Sequence, residues 1–244
     1  MLRNVSEIIN YQLVAEDGEI GKCKDFLFDD EQWTIRYMVA DTSRWLPGRK
    51  VLISPLSLGY PQWRNKLLPV SLTKEQIKES PPLEKDAPVS RKYEMQWADH
   101  YSLPYYWPYM YSWGIEHYPV IVRKPDSERK KHVEDPNESH LRSTREVTGY
   151  DIQALDDAIG KVEDFIIDDS VWSIRYLVVD TRKWLPGRKV LISSLWVQDI
   201  DWASTKVFVD KNRKEIEESP EYHPEKAVNL EYEARLYDFY GRPL

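Results

Sequence analysis

Trp45-Leu46-Pro47-Gly48-Arg49-Lys50-Val51-Leu52-Ile53-Ser54 is repeated letter for letter at Trp184-Leu185-Pro186-Gly187-Arg188-Lys189-Val190-Leu191-Ile192-Ser193. The offset is 139 residues, and it holds on both sides of the match without a gap. From Ile20 to Ser54, 24 of 35 positions are identical to those from Ile159 to Ser193, so the chain carries one unit twice. Any fold read for one copy therefore applies to the other.

Just upstream of the repeated stretch lies the clearest strand, Trp33 to Thr42. Trp33, Ile35, Tyr37 and Val39 alternate with Thr34 and Arg36, the period of two expected of a pleated strand. The second parity turns apolar at Met38 and Ala40, and at Leu177 and Val179 in the other copy. A strand wet on one side would stay polar there, so a helix or the other copy must cover that face. Arg3 to Asn10 reads as a short extended lead-in. Tyr11–Val14, Ile20–Phe28, Lys50–Ile53, Leu56–Tyr60 and Lys66–Val70 read as further strands, with turn chemistry at Glu16-Asp17-Gly18, Asp29–Gln32 and Pro47-Gly48.

Downstream, the spacing predicts two helices per copy. Thr73 and Gln76, matched by Asn212 and Glu215, have the spacing of a capping box, and the helices they open stop at Glu79-Ser80-Pro81 and Glu218-Ser219-Pro220. Ser90 and Asn229 are N-cap types opening second helices that run to about Tyr101 and Tyr240. Tyr93, Glu94, Asp99 and Tyr101 recur as Tyr232, Glu233, Asp238 and Tyr240. The expected fold is mainly β with short helices: two small β-barrels in pseudo-two-fold tandem, each followed by a short helix and a second capped helix. Residues 1–101 form the first copy, 102–139 an aromatic, proline-rich and then charged linker, and 140–244 the second copy.

The chain has 244 residues, room for one large or two small domains. Its hydrophobic share of 41% is modest, but 13% of its residues are aromatic, and Trp and Tyr bring enough apolar area for sizeable cores. The net charge is −7, and no segment is basic overall, which argues against nucleic acid as the partner. The single cysteine, Cys23, rules out an internal disulfide and reads as a small apolar strand residue. No apolar run has bilayer-spanning length and the N-terminus lacks a signal-peptide core, so a reducing, cytoplasmic setting is the default expectation.

Each copy resembles the PRC-barrel, the domain found in the cytoplasmic region of the photosynthetic reaction centre H subunit and in the C-terminal half of a ribosome maturation factor. The resemblance rests on Ile20-Gly21-Lys22, Asp25-Phe26, Asp29-Asp30, Ile35-Arg36-Tyr37, Val39, Asp41-Thr42 and the stretch from Trp45 to Leu52, and on their counterparts from Ile159 to Leu191. It implies a small, partly open barrel used for protein–protein contacts or for assembly of a membrane complex. The chain departs from the H subunit in lacking an apolar span and in doubling the barrel, and from the ribosome factor in lacking its N-terminal domain.

No catalytic constellation stands out. His100, His117, His132, His140 and His223 do not recur between copies and have no metal-ligand spacing, and no Gly-rich phosphate loop is present. No metal and no cofactor is therefore expected. Asp29-Asp30 and Asp168-Asp169 read as hairpin residues bonding their own backbone rather than as a cation site. Trp45, Arg49, Trp184 and Arg188 are the residue types that dominate binding hot spots, and their recurrence suggests either a duplicated binding surface or burial between the copies, the latter favoured. The arginines have a third reading, pairing with Asp41 and Asp180. In the linker, Ser102 to Tyr118, dense in aromatics and prolines (notably Tyr106, Trp107 and Trp113), reads as a segment packed over the barrels, with a sticky platform for a partner protein or a planar ligand as its functional alternative. Arg123 to His140 reads as a solvated tether.

The expected function is a non-enzymatic interaction scaffold or adaptor with an internal copy-to-copy interface and a protein partner. The runner-up is a peripheral component of a photosynthetic, reaction-centre-like electron-transfer complex. An RNA-processing or ribosome-assembly adaptor comes behind it because of the acidic balance.

Overall fold

The computed structural model describes residues 1–84, 88–107, 141–181 and 188–241. The tether from Arg123 to His140, the linker's Trp113, the loop residue Trp184, and His117, His132 and His140 lie outside the described residues. The protein is mainly β with a few short helices, its strands running in a curled half-barrel sheet.

In chain order the elements are β1 (Leu2–Asn4), α1 (Val5–Ile8), β2 (Gln12–Ala15), β3 (Gly18–Asp29), β4 (Thr34–Asp41), β5 (Val51–Ile53), β6 (Leu67–Pro69), α2 (Lys74–Glu79) and α3 (Arg91–Tyr101). The second repeat continues with β7 (Leu141–Ser143), α4 (Thr144–Val147), β8 (Asp151–Gln153), β9 (Ala158–Asp168) and β10 (Ser173–Asp180). It ends with β11 (Lys189–Ser193), β12 (Val197–Asp201), β13 (Lys206–Val209), α5 (Arg213–Glu218) and α6 (Leu230–Phe239). Leu56–Tyr60 does not form the expected strand: Ser54 caps a 3-10 turn at Pro55–Ser57, and Leu58 keeps only a single bridge to Val70. The same turn forms at Ser194–Trp196 without a proline; what differs is Pro61, which has no N–H to give to a ladder and stands where the second repeat has Ile200. Val197–Asp201 has no such proline and does form a strand.

The chain packs as two compact units that cut across the repeat boundaries. The second-repeat unit comprises Met1–Ile9, Asp25–Ile35 and Arg142–Leu244; the first-repeat unit comprises Asn10–Lys24 and Arg36–Leu141. In the second-repeat unit the ladders run β12-β13-β8-β9-β10, with β11 on β10 and β1 on β9. All are antiparallel except β13 beside β8. Among the described residues no ladder joins β11 to β12, where a 3-10 turn at Ser194–Trp196 intervenes. The first-repeat unit has the same pattern: β5 on β4, β2 on β3, and β6 parallel to β2.

Met1–Ile9 joins the second-repeat unit through an aspartate that serves as an external cap. Asp164 accepts hydrogen bonds from Asn4 Nδ2 (2.9 Å), the Ser6 amide (3.2 Å) and Ser6 Oγ (2.5 Å), satisfying groups at the open start of α1. Asp25 treats α4 in the same way, taking Ser143 Oγ (2.5 Å), Thr144 Oγ1 (2.9 Å) and the Arg145 amide (3.1 Å). The hairpin Asp25–Ile35 is held by reciprocal backbone bonds, Ile35 N–H to Trp172 O (2.8 Å) and Ile174 N–H to Trp33 O (2.7 Å). Phe28 packs against both Trp33 and Phe165, and Phe26 against Trp172. Asp164→Ala is expected to cost roughly 2 kcal/mol, since it leaves the Asn4 and Ser6 donors at the start of α1 without their acceptor. A fall in thermal midpoint together with faster hydrogen exchange at Ser6 would show it; unchanged exchange there would contradict it.

Helix α3 packs against β4 at Tyr37, on the parity opposite Met38 and Ala40, which are themselves buried. Trp97, 2% exposed, meets Tyr37 edge-on at 4.9 Å between ring centroids. The capping boxes form as the spacing requires, with Thr73 N–H to Gln76 Oε1 at 2.8 Å and Asn212 N–H to Glu215 Oε2 at 2.8 Å. Ser90 and Asn229 accept the amides of Tyr93 and Tyr232 and open α3 and α6.

Candidate interaction sites

The repeated loop places its residues in two different roles. Arg49 reaches the end of α2, where Nη1 donates to Lys78 O (2.7 Å) and Nη2 to Ser80 O (2.6 Å). Arg188 does the same at the end of α5, donating to Ser219 O. The last carbonyls of a helix have no partner within it and carry partial negative charge, so a guanidinium fork satisfies both needs. These arginines hold helix ends, which accounts for their recurrence without a partner.

Trp45 is half-buried, and its indole N–H donates to Ile20 O at 2.9 Å. It lines a cleft of about 260 Å³ in the first-repeat unit, together with Gln12, Gly21 and Thr42. Exposed Glu19, Lys22, Asp41 and Arg44 rim it with both signs of charge.

Tyr106 is buried rather than presented on a platform. The left-handed residue Ser102 (φ 53°) ends α3 and turns the chain back, with Leu103 N–H bonded to Ala98 O. Tyr106 then lies against α3 and β4: its ring sits 3.7 Å from the Arg36 guanidinium, its hydroxyl donates to Glu94 (2.7 Å), and Arg91 Nη1 donates to that hydroxyl (2.9 Å). Arg91 also pairs with Glu94 at 3.0 Å. Trp107 is half-buried, stacked on Tyr105 and lying 4.4 Å from the Arg91 guanidinium. Arg36 is 1% exposed and Glu94 1% exposed, so this polar cluster is fully interior. Burial pushes the Glu94 carboxyl up to about 7, against the opposing pull of Arg91, the Tyr106 and Tyr37 hydroxyls and Arg36. The Tyr37 hydroxyl is pushed up as well, chiefly by burial and then by the charge of Glu94.

The second-repeat unit repeats part of this cluster. Tyr176 donates to Glu233 Oε1 at 2.6 Å, and Arg175 lies 3.8 Å from the same oxygen. Position 230 is Leu where the first repeat has Arg91, and the tyrosine beside Tyr176 here is the buried Tyr237 of α6. The matched pairs Tyr93-Glu94 and Tyr232-Glu233 were the sequence signal for these clusters; the strand arginines Arg36 and Arg175 facing them were not readable as partners.

Among the described residues, no group of three or more His, Cys, Asp or Glu side chains is placed to hold a metal ion, and no helix is long and apolar enough to cross a membrane. Residues 141–216 match the PRC-barrel domain. That PRC-barrel match begins with β7 and ends within α5, covering the sheet of the second repeat. No curated protein matches the chain.

Proposed function

We propose that this chain is a non-enzymatic interaction scaffold built from two PRC-barrel-like modules, the second being the matched segment 141–216. The first module is assigned through the identities it shares with the second along the 139-residue offset. The exchange of Met1–Ile9 into the second-repeat unit supports a single-chain counterpart of a barrel dimer. The observation that carries the interaction role is the Trp45 cleft. An aromatic floor ringed by exposed charges of both signs is the composition of a specific protein contact, with the charges giving orientation and the ring giving affinity.

The test is a crosslinking pull-down of tagged protein from its host, with soluble and membrane fractions kept apart. The charge reversals Arg44→Glu and Glu19→Lys change the rim and leave the Trp45 hydrogen bond in place. A recurrent soluble partner lost in both variants is the expected result. Recovery with a membrane complex instead would put the reaction-centre-like reading first, and enrichment of nothing in either fraction would remove the adaptor reading.

A further inference from the structure

The segment that follows α3 lies over charged groups as well as apolar ones. At Ser102 (φ 53°, ψ 38°), a non-glycine residue held in the left-handed region, the chain reverses and returns along α3. Of Leu103–Trp107, only Tyr106 is buried. Among the described residues the segment joins no helix and no ladder, so it can lift without breaking sheet pairing. Tyr106 is its interior anchor. The hydroxyl donates to one oxygen of Glu94 at 2.7 Å and accepts from Arg91 at 2.9 Å, and Arg91 holds the other oxygen at 3.0 Å. The groups facing Glu94 are Arg91 on its own helix, Arg36 and the Tyr37 hydroxyl on β4, and the Tyr106 hydroxyl on the segment. Beneath the segment a cavity of about 30 Å³, large enough for a water molecule, is lined by Arg36, Trp97, Ala98 and Tyr106.

We propose that Leu103–Trp107 is a pH-responsive strap, hinged at Ser102, that lifts from α3 and β4 as Glu94 releases its proton. Closed, it covers Trp97 and lays the Tyr106 ring on Arg36; open, it presents both to solvent. The geometry sets the coupling. Glu94 is 1% exposed, and the strap's own hydroxyl is one of the groups that cover it. Lifting the strap admits water to the carboxyl, and a hydrated carboxylate escapes the cost of carrying charge in the interior. With the strap closed, burial raises the carboxyl to about 7, whereas in water it ionises near its ordinary 4.5. The closed form therefore keeps a proton that the open form gives up, and rising pH across that window favours opening. The rest of the unit stays folded, so the protein changes one patch of its surface with pH. The Trp45 cleft plays no part in this device, and either reading can fail alone.

The test uses the full chain carrying Ala98→Cys, which puts a thiol under the strap. The native Cys23, fully buried in β3 of the same unit, serves as the internal reference for unfolding. Labelling by a dithiodipyridine reagent is followed at each position by peptide mapping and divided by the rate of a free cysteine peptide at the same pH. From pH 5 to pH 8, corrected labelling at position 98 is expected to rise about 70-fold, the ratio that a carboxyl at 4.5 when open and about 7 when closed dictates. Low urea should leave that labelling unchanged, because a local opening exposes little surface, while Cys23 labels more slowly and responds to urea. Adding Glu94→Gln should abolish the rise. Adding Tyr106→Phe instead keeps the ring and removes the anchoring hydroxyl, and labelling at pH 5 should increase by about tenfold. Labelling at position 98 that matches Cys23 in rate and urea response would show that the strap moves only when the unit unfolds, and overturns the proposal. So does labelling that is flat with pH, a rise that survives Glu94→Gln, or no response at pH 5 to Tyr106→Phe.

Discussion

Gly21→Ala and Gly160→Ala are each expected to destabilise the protein by roughly 3–4 kcal/mol. Gly21 has φ +132°, and a Cβ built there would lie 1.9 Å from the carbonyl oxygen of Asp41. At Gly160, with φ +157°, it would lie 2.2 Å from the carbonyl oxygen of Asp180. The obstacle in both cases is backbone, so relief requires one strand to move away from the end of the next, and close-packed interiors resist such shifts. Gly48 gives the control. Its φ is +78° but nothing lies within 4 Å of the built Cβ, so Gly48→Ala carries only the conformational cost, about 1 kcal/mol. Urea unfolding of the three variants separates the two effects. A Gly21→Ala variant no less stable than Gly48→Ala would show that the close approach does not constrain the fold.

Gly21 and Gly160 also show how much of the molecule was legible in the sequence. Both sit in the motif Ile-Gly-Lys shared by the two copies, so the repeat marked them, although the close carbonyl that makes them necessary is a long-range contact no local pattern reveals. The strands around Trp33, the capping boxes and the Ser90 and Asn229 caps were readable because each depends on neighbours within a few residues. The second face of β4 was read as needing cover, and its Met38 and Ala40 are buried, whereas the α3 contact of Trp97 falls on Tyr37 of the other parity. Leu56–Tyr60 was misread because apolar content outweighed Pro61 in the pattern. The segments Met1–Ile9 and Asp25–Ile35 were assigned to the first copy by chain order. Their place in the second-repeat unit depends on Asp164 and on the bonds of Trp172, contacts made across more than 130 positions of sequence. Arg49 and Arg188 looked like surface hot-spot residues because recurrence alone does not separate a helix-end clamp from a binding residue.

The first-repeat unit is expected to lose stability as pH rises from about 5 to 8, and Glu94→Gln is expected to remove that loss. The carboxyl of Glu94 is raised from its ordinary 4.5 to about 7, burial being the largest cause. Between these values the folded protein keeps a proton that the unfolded chain has released. The resulting stabilisation is complete below the unfolded value and disappears as pH rises through the folded one. At 1.36 kcal/mol per unit, the change is about 3 kcal/mol, and with the carboxyl 1% exposed little solvent screening reduces it. Arg36→Met should act in the same cluster with comparable force. It removes a buried charge whose face packs on Tyr106 and whose field lowers the Glu94 value, at a cost of roughly 3 kcal/mol or more near neutral pH. It should also move the pH-dependent window upward, because one of the forces holding the carboxylate ionised is gone. Denaturant unfolding at pH 5 and pH 8 for the native chain and the two variants tests this directly. If the native chain and Glu94→Gln show the same pH slope, Glu94 is already ionised in the folded state at pH 5, and the arginines, not burial, set its charge.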